Sequence, residues 1–162
     1  MDNRKHGIGK VTYRTKEEYK GEYYGYWENG KKHGEGLFTY PNGDTYSGWW
    51  KYGKREGKGT YTFVGTGMKL VGNWLNGGFA KGKWIIPNGN YFEGDFAKNQ
   101  PNGQGKWVFQ DGNVTQGEYT QVEEEREAED GERKMEIKLT WKSAADIVES
   151  SEKVNTCEAL SY

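Results

Sequence analysis

The side chains best suited to chemistry are few and widely spaced in this sequence. His6 and His33 each precede a glycine, which is typical of a turn requirement, and no cluster of Cys or His accompanies them as a metal site would need. Cys157 has no neighbouring base, and no Gly-x-Ser-x-Gly elbow is present. The run from Gly53 to Thr60 has the wrong spacing for a phosphate loop. We therefore expect no catalytic residue, metal site or cofactor, and predict that the protein is not an enzyme.

Aromatic residues and glycines dominate the elements that would have to position any site. The 162 residues include 25 glycines, 12 tyrosines and 7 tryptophans, and only 33% of the chain is hydrophobic. A chain with so little aliphatic material cannot build a thick core of two packed layers. It is not simply disordered either, since disordered chains are poor in aromatic residues. This composition favours a thin sheet, in which each ring covers a wide area of its own layer.

The single cysteine and the N-terminal residues indicate an intracellular protein. One cysteine cannot form an intramolecular disulfide, and the charged N-terminus leads into no apolar segment typical of a signal peptide. No stretch approaches the roughly 18 apolar residues of a membrane span. We expect a cytoplasmic protein whose membrane contacts are at most peripheral.

An internal repeat covers most of the chain. The pattern of rings and glycines that begins at Tyr23 returns from Tyr46, from Leu70 and from Phe92. One glycine of the unit falls at residues 9, 36, 59, 82 and 105, so the last four copies follow one another at intervals of 23 residues. Half units flank the four copies at residues 6–13 and 115–119. We assign residues 1–121 to an array of about four full repeats with flanking half repeats.

Each unit contains two short alternating runs, and a period of two is the signature of a β-strand. Tyr23, Gly25 and Trp27 share one face, and the intervening positions of the array are mostly polar. Glycines after each run can take the positive φ of tight hairpin turns. The glycines inside the first strand of each unit lack a side chain, so a ring from the neighbouring strand can lie flat over the backbone. The glycines assigned to this repeat pattern are Gly25, Gly36, Gly48, Gly59, Gly72, Gly82, Gly94 and Gly105.

The pattern aromatic-x-Gly-x-aromatic, followed by Gly and then by Gly-x-Gly-x-aromatic, resembles the MORN repeat. The resemblance implies an all-β fold, in which consecutive hairpins form an elongated, single-layer antiparallel sheet. It also implies a protein that holds other proteins together. Because the sequence begins in the middle of a repeat, we expect its first strand to be paired by another chain.

The end of the array is similar to that of the MORN-repeat proteins of the ciliary radial spoke head. The likeness covers residues 65–77 and 99–109 and closes at residues 117–119. An insertion, a degenerate unit and an Asn-x-Pro turn, which is Asn99-Gln100-Pro101, follow one another there in the same order. This likeness implies a location in the cytoskeleton, at the axoneme of a cilium or flagellum. It implies other radial spoke head subunits as partners, and a homo- or hetero-oligomer formed through open sheet edges.

The composition changes after residue 121, where acidic residues become frequent. Residues 122–134 are expected to be a solvated acidic linker, with docking to a basic partner as the alternative. Residues 135–162 are expected to form a short, partly disordered C-terminal tail. Within it, alternating apolar residues predict a strand at 135–142, and a helix start at Ser143 predicts a short helix at 143–150.

The aromatic face is the candidate site for partner binding. Its rings either pack against one another and the glycines or are buried by a partner, and both outcomes are compatible with the pattern. We predict a structural, protein-binding subunit of the radial spoke head that supports ciliary or flagellar motility. The predicted binding residues are Tyr23, Trp27, Tyr46, Trp50, Trp74, Trp84, Phe96 and Trp107.

The alternative function is a peripheral membrane adaptor. Residues 1–122 carry an excess of positive charge, and clustered basic residues attract anionic phospholipids. The residues that would meet the lipid head groups are Lys31, Lys32, Lys51, Lys54, Arg55 and Lys58. Binding of nucleic acid is not expected, since no continuous basic groove is evident.

Overall fold

The computed structural model of the protein describes residues 4–127 and 133–144. These residues form eleven β-strands and no helix. The strands are β1 (Gly7–Arg14), β2 (Tyr19–Glu28), β3 (Lys31–Thr39), β4 (Thr45–Lys51), β5 (Lys54–Thr62), β6 (Lys69–Leu75), β7 (Gly78–Ile85), β8 (Tyr91–Ala97), β9 (Gln100–Val108), β10 (Val114–Glu127) and β11 (Arg133–Ser143).

All eleven strands belong to one open sheet, and each strand pairs antiparallel with the next one along the chain. The predicted all-β fold of consecutive hairpins in a single layer is therefore confirmed. Neighbours in sequence are also neighbours in space, so no crossover connection is needed.

The turns inside the hairpins have two consecutive residues with positive φ, the geometry of a type I′ turn. Asn29 and Gly30 have φ of 49° and 77°, and Asn76 and Gly77 have φ of 52° and 92°. Two turn glycines also contact the preceding hairpin, because the Gly53 N–H donates to the Lys32 carbonyl of β3 and the Gly77 N–H donates to the Arg55 carbonyl of β5. The predicted turn role of these glycines is confirmed, and the hydrogen bonds join the first three hairpins to one another.

A row of glycines crosses the sheet at right angles to the strands. Each strand from β1 to β10 contributes one glycine, and each lies directly opposite the glycine of the adjacent strand. The row runs through Gly9, Gly25, Gly36, Gly48, Gly59, Gly72, Gly82, Gly94, Gly105 and Gly117. We call the side of the sheet that carries these glycines and the buried rings the ring face, and the opposite side the outer face.

The glycine row makes room for rings, with one difference from the prediction. A Cβ atom at Gly36 would lie 2.5 Å from ring carbons of Tyr23, which belongs to the neighbouring strand. At Gly25, however, a Cβ would meet the backbone of Gly36 and the hydroxyl of Tyr23, a residue of its own strand. The flat cover by a neighbour's ring is thus found at three second-strand glycines, Gly36, Gly59 and Gly105, and at Gly117 of β10, where the ring is Trp141. The first-strand glycine mainly allows close approach of two backbones.

The acidic segment after residue 121 differs from the expected linker. Strand β10 continues to Glu127. All of β11 pairs with the part of β10 that runs from Gly117 to Glu127. This register brings acids close to bases, with Glu124 3.3 Å from Lys138 and Glu125 3.6 Å from Arg133. Opposite charges on paired strands stabilise a sheet, so charge density here does not prevent strand formation.

The expected strand at 135–142 lies within β11. The expected helix at 143–150 falls mostly outside the described residues. At its proposed start, Ser143 is still the last residue of a strand, and the Ala144 N–H donates to the Gln116 carbonyl of β10. The beginning of the helix prediction is therefore wrong, because main-chain pairing with β10 continues there.

Candidate functional site

Each full unit contributes two side chains of its first strand to the ring face. One is a tryptophan or phenylalanine, and the other is a tyrosine, leucine or phenylalanine. In three units the indole N–H donates to the glycine carbonyl of an earlier strand, at 3.2 Å in every case. The pairs are Trp27 to Gly9, Trp50 to Gly36 and Trp74 to Gly59. Because each bond joins a tryptophan to the preceding hairpin or half unit, it fixes the ring and links adjacent units.

The rings form a ladder of edge-to-face contacts along the array. Tyr23 lies between Trp27 and Trp50, with ring centroids 5.1 and 5.4 Å away. Tyr46 repeats the arrangement between Trp50 and Trp74, at 5.2 and 5.0 Å. Such geometry contributes about 0.5–1.5 kcal/mol per pair beyond the buried area. The ladder continues through Phe79, Phe96, Phe92 and Tyr119 to Trp141 of β11.

The structure places seven of the eight predicted binding rings in the core of the chain. Trp107 is half-buried, and its indole N–H donates to the Tyr119 hydroxyl. The seven buried rings are Tyr23, Trp27, Tyr46, Trp50, Trp74, Trp84 and Phe96. These side chains bury one another, so a partner on this face would meet mainly the half-buried residues beside them.

An open groove follows the ring face, where half-buried residues such as Tyr40 and Arg55 adjoin the buried rings. Its main hollow, of about 420 Å³, is lined by Tyr40, Arg55, Tyr61, Phe63 and Trp74, among others. A second hollow of about 230 Å³ adjoins it, beside Lys32, Phe38 and Trp50. We refer to the two hollows together as the groove. Its lining of rings and two cations suits a partner segment with apolar and acidic side chains.

Lys32 lies inside the groove and not on an exposed basic surface. Its ammonium nitrogen is 4.2 Å from the ring centroid of Trp50 and 4.4 Å from that of Phe38. Burial, together with the smaller effect of the positive charge of Arg55, lowers the pKa of Lys32 to about 8. Among the described residues no carboxylate forms an ion pair with Lys32. Its charge is offset by the rings, and it remains available to an acidic ligand.

Arg55 occupies the same position one unit later, and its guanidinium is held firmly. It donates to the Gly77 carbonyl at 2.9 Å through Nε and to the Tyr40 hydroxyl at 3.3 Å, and it lies 4.4 Å from the Trp74 ring. In the last two units Phe79 and Pro101 take this position, opposite Trp74 and Phe96. The groove is therefore cationic only along the first two units.

Sequence reasoning assigned Lys32 and Arg55 to lipid contact, although a signal for their true position was present. Each lies four residues before a row glycine, Gly36 or Gly59, and a period of two puts residues four apart on the same face. Their enclosure by rings could not be seen, because the tryptophans that cover them belong to neighbouring strands.

The outer face departs from its expected polar character at one end of the sheet. Tyr24, Leu37 and Trp49 lie on it, with exposed fractions of 55%, 40% and 50%. The signal for this feature was the doublets of aromatic residues at 23–24, 26–27 and 49–50, since adjacent residues of a strand point to opposite faces.

Asp44 and His33 interact with neighbouring groups of the chain. Asp44 is buried and accepts hydrogen bonds from the Val64 N–H at 2.9 Å and the Tyr61 hydroxyl at 3.0 Å. His33 lies 3.2 Å from a Glu28 carboxylate oxygen. Within residues 4–127 and 133–144 no group of three or more His, Cys, Asp or Glu could hold a metal ion. The same residues include no helix long and apolar enough to cross a membrane.

Comparison with known families matches the MORN repeat to residues 1–16, 23–45, 46–67 and 92–114, just over half of the chain. The chain belongs to the MORN-repeat family. No curated protein sequence is significantly similar to it. The unit between residues 67 and 92 lies outside the match, yet β6 and β7 form the same hairpin as the other units. MORN repeats indicate a protein that binds other proteins or membranes, and their all-β fold is typically not enzymatic.

Proposed function

We propose that this protein is a structural scaffold of the axonemal radial spoke head, where it binds neighbouring subunits and supports ciliary or flagellar motility. The observation that carries the scaffold role is the continuous ring ladder from Trp27 to Trp141, which runs beneath an open groove. The spoke-head location rests on the sequence likeness at residues 65–77, 99–109 and 117–119.

Stiffness is the property that a scaffold needs, and three kinds of contact between units supply it. Tryptophan N–H groups bond to the preceding strand, turn glycines bond to a strand of the preceding hairpin, and aromatic rings of adjacent units pack against each other. Because the contacts within the chain already fix the shape of the groove, few of its side chains lose conformational freedom when a partner binds. Less of the binding free energy is then lost to ordering, and the affinity is higher.

The groove is the proposed docking site for a segment of a neighbouring subunit. Rings and two cations favour a segment in which an apolar side chain accompanies a carboxylate. The variant Arg55→Phe imitates Phe79, which fills the equivalent position of the third unit. It is expected to close the groove without disturbing the ladder, and to weaken partner binding.

Purification of axonemes tests the proposed location directly. The protein is expected to co-purify with axonemes, to resist extraction by detergent and to be released by high salt. Its removal is expected to change the composition of the spoke head. Spoke heads of normal composition in its absence would contradict the proposal.

The second candidate, a peripheral membrane adaptor, draws support from four exposed lysines. Lys31, Lys51, Lys54 and Lys58 form no ion pair with any residue that the structure describes. Against it, Lys32 and Arg55 face the groove. Sedimentation with anionic vesicles separates the two functions: salt-sensitive binding at near-physiological ionic strength would favour the adaptor over the scaffold.

A further inference from the structure

A cluster of exposed apolar side chains covers the outer face over β1 to β4. We call it the outer patch; its members are Ile8, Tyr24, Tyr26, Leu37 and Trp49, with exposed fractions between 36% and 75%. Ile8 lies directly opposite Tyr26, and Tyr24 directly opposite Leu37. The five residues thus form one cluster that crosses four strands, and such clusters on a soluble protein mark interaction sites.

The fold does not require apolar residues at these places. The position of Tyr24 is occupied by Ser47, Val71 and Glu93 in the later units, and the position of Trp49 by Asn73 and Asp95. The position of Leu37 is occupied by Thr60, Lys83 and Lys106. The same sheet accommodates all of these residues, so the rings of the first two units serve something other than folding.

Some lysines of the outer face are paired with acids of the same face, and others are not. Lys81 lies 3.3 Å from Asp95 and Lys106 3.4 Å from Glu93 in the later units, and Lys10, directly opposite Tyr24, lies 2.9 Å from Glu22. Beside the outer patch, Lys51 and Lys58 are exposed and form no ion pair with a described residue. A ligand of the patch is therefore expected to bring its own acidic groups.

The form of the ligand follows from the hydrogen bonding of the sheet. The N–H and C=O groups of β2 and β3 are used in pairing on both sides, so a ligand lying on the face gains no main-chain hydrogen bonds from them. It must satisfy its own backbone, which an α-helix does. From β1 to β4 the patch spans about 14 Å, the length of a helix of about nine or ten residues.

Two other occupants fit less well. A symmetric contact between two copies is too small, since five side chains fall short of the roughly 800 Å² per partner of a stable interface. A bilayer would have to accommodate Glu35, which is exposed and directly opposite Trp49. A protein partner can place a single donor against that carboxylate.

We propose that the outer patch binds an acidic amphipathic helix of about three turns from another protein. The helix lays apolar side chains at i, i+3 or i+4, and i+7 on Tyr24, Leu37 and Trp49, and its acidic flank meets Lys51 and Lys58. This site lies on the side of the sheet opposite the groove, and it depends neither on the groove nor on the spoke-head location.

The test uses a displayed library of amphipathic helices of about three to four turns, with leucine at the apolar positions and randomised flanks. The variant carries Tyr24→Ser, Leu37→Thr and Trp49→Asn, the residue types that the chain itself places at Ser47, Thr60 and Asn73. Selection on the wild-type protein is expected to enrich Glu and Asp in the flanks. The selected peptides, made synthetically, are expected to bind the variant at least about tenfold more weakly.

Matched controls separate the outcomes. Lys32→Met changes the groove alone and is expected to leave peptide affinity unchanged, and the triple variant is expected to keep the circular dichroism spectrum and unfolding midpoint of the wild type. Equal peptide affinity for wild type and triple variant, selected flanks without acids, or failure to select any helix would overturn the proposal. So would self-association, or binding to phosphatidylserine vesicles, that is lost in the triple variant.

Discussion

Replacing Gly36 with alanine tests whether the ring ladder depends on the glycine row. The new Cβ would lie 2.5 Å from two ring carbons of Tyr23, far inside the contact distance of two carbon atoms. The ring cannot move aside freely, because Trp27 and Trp50 flank it at 5.1 and 5.4 Å. Its hydroxyl also donates to the Tyr26 carbonyl at 3.0 Å.

The expected cost combines two effects. Forcing a methyl group into a packed core costs about 1–3 kcal/mol. Displacing the tyrosine breaks its partly buried hydrogen bond, which adds about 1 kcal/mol. We therefore expect Gly36→Ala to lower the free energy of unfolding by about 2–4 kcal/mol.

Urea unfolding followed by tryptophan fluorescence measures this change, and Gly9→Ala is the matched control. Gly9 holds the same place in β1, but a Cβ there would meet only the Trp27 ring, at 3.6 Å. That variant is expected to be neutral or slightly stabilising, since alanine in a strand loses less backbone entropy on folding than glycine. Equal effects of the two substitutions would refute the reasoning. Adding Tyr23→Leu, the residue type of Leu70, is expected to reduce the cost of Gly36→Ala.

Three further predictions concern other parts of the array. Asp44→Ala leaves the Val64 N–H and Tyr61 hydroxyl without their acceptor and is expected to cost about 2–4 kcal/mol in urea unfolding, whereas Asp44→Asn, which matches Asn90, is expected to cost less. Lys32 has a pKa of about 8 when folded, below its ordinary 10.5, so the unfolded chain binds more protons between these values. The free energy of unfolding of the wild type should therefore rise with pH across that range relative to Lys32→Met, and a constant difference between the two proteins would contradict this. Trp141→Ala uncovers Gly117 and the Phe92 ring and is expected to cost about 2–4 kcal/mol, and a change below about 0.5 kcal/mol would mean that β11 is not part of the ladder.

Much of the fold could be predicted because its signals are local. Alternation within a few residues places Tyr23 and Trp27 on one face, and positive φ at turn glycines follows from hairpins of a fixed length. Strands that pair only with their neighbours in sequence leave few alternatives for the topology. The acidic segment was interpreted wrongly because composition alone does not reveal the register that brings Glu124 to Lys138.

The candidate sites were harder to predict because they depend on exposure. Alternation indicates that Tyr23 and Tyr24 point to opposite faces, but both are tyrosines, and their sequence does not say which is covered. Tyr23 is fully buried since Trp50 of the next unit lies against it, and Tyr24 is 55% exposed. The predicted binding rings turned out to be the core, and the exposed rings lie on the other side of the sheet.

The sequence by itself determined the repeat, and within the array the strands, the turns and the face to which each side chain points, because these follow from spacing and from the conformational range of glycine. Only the tertiary structure decided what each side chain meets. Lys32 is enclosed by rings of β3 and β4, and Trp141 covers a glycine of β10. The burial of a side chain depends on the side chains around it, and in this array some of those belong to the next repeat.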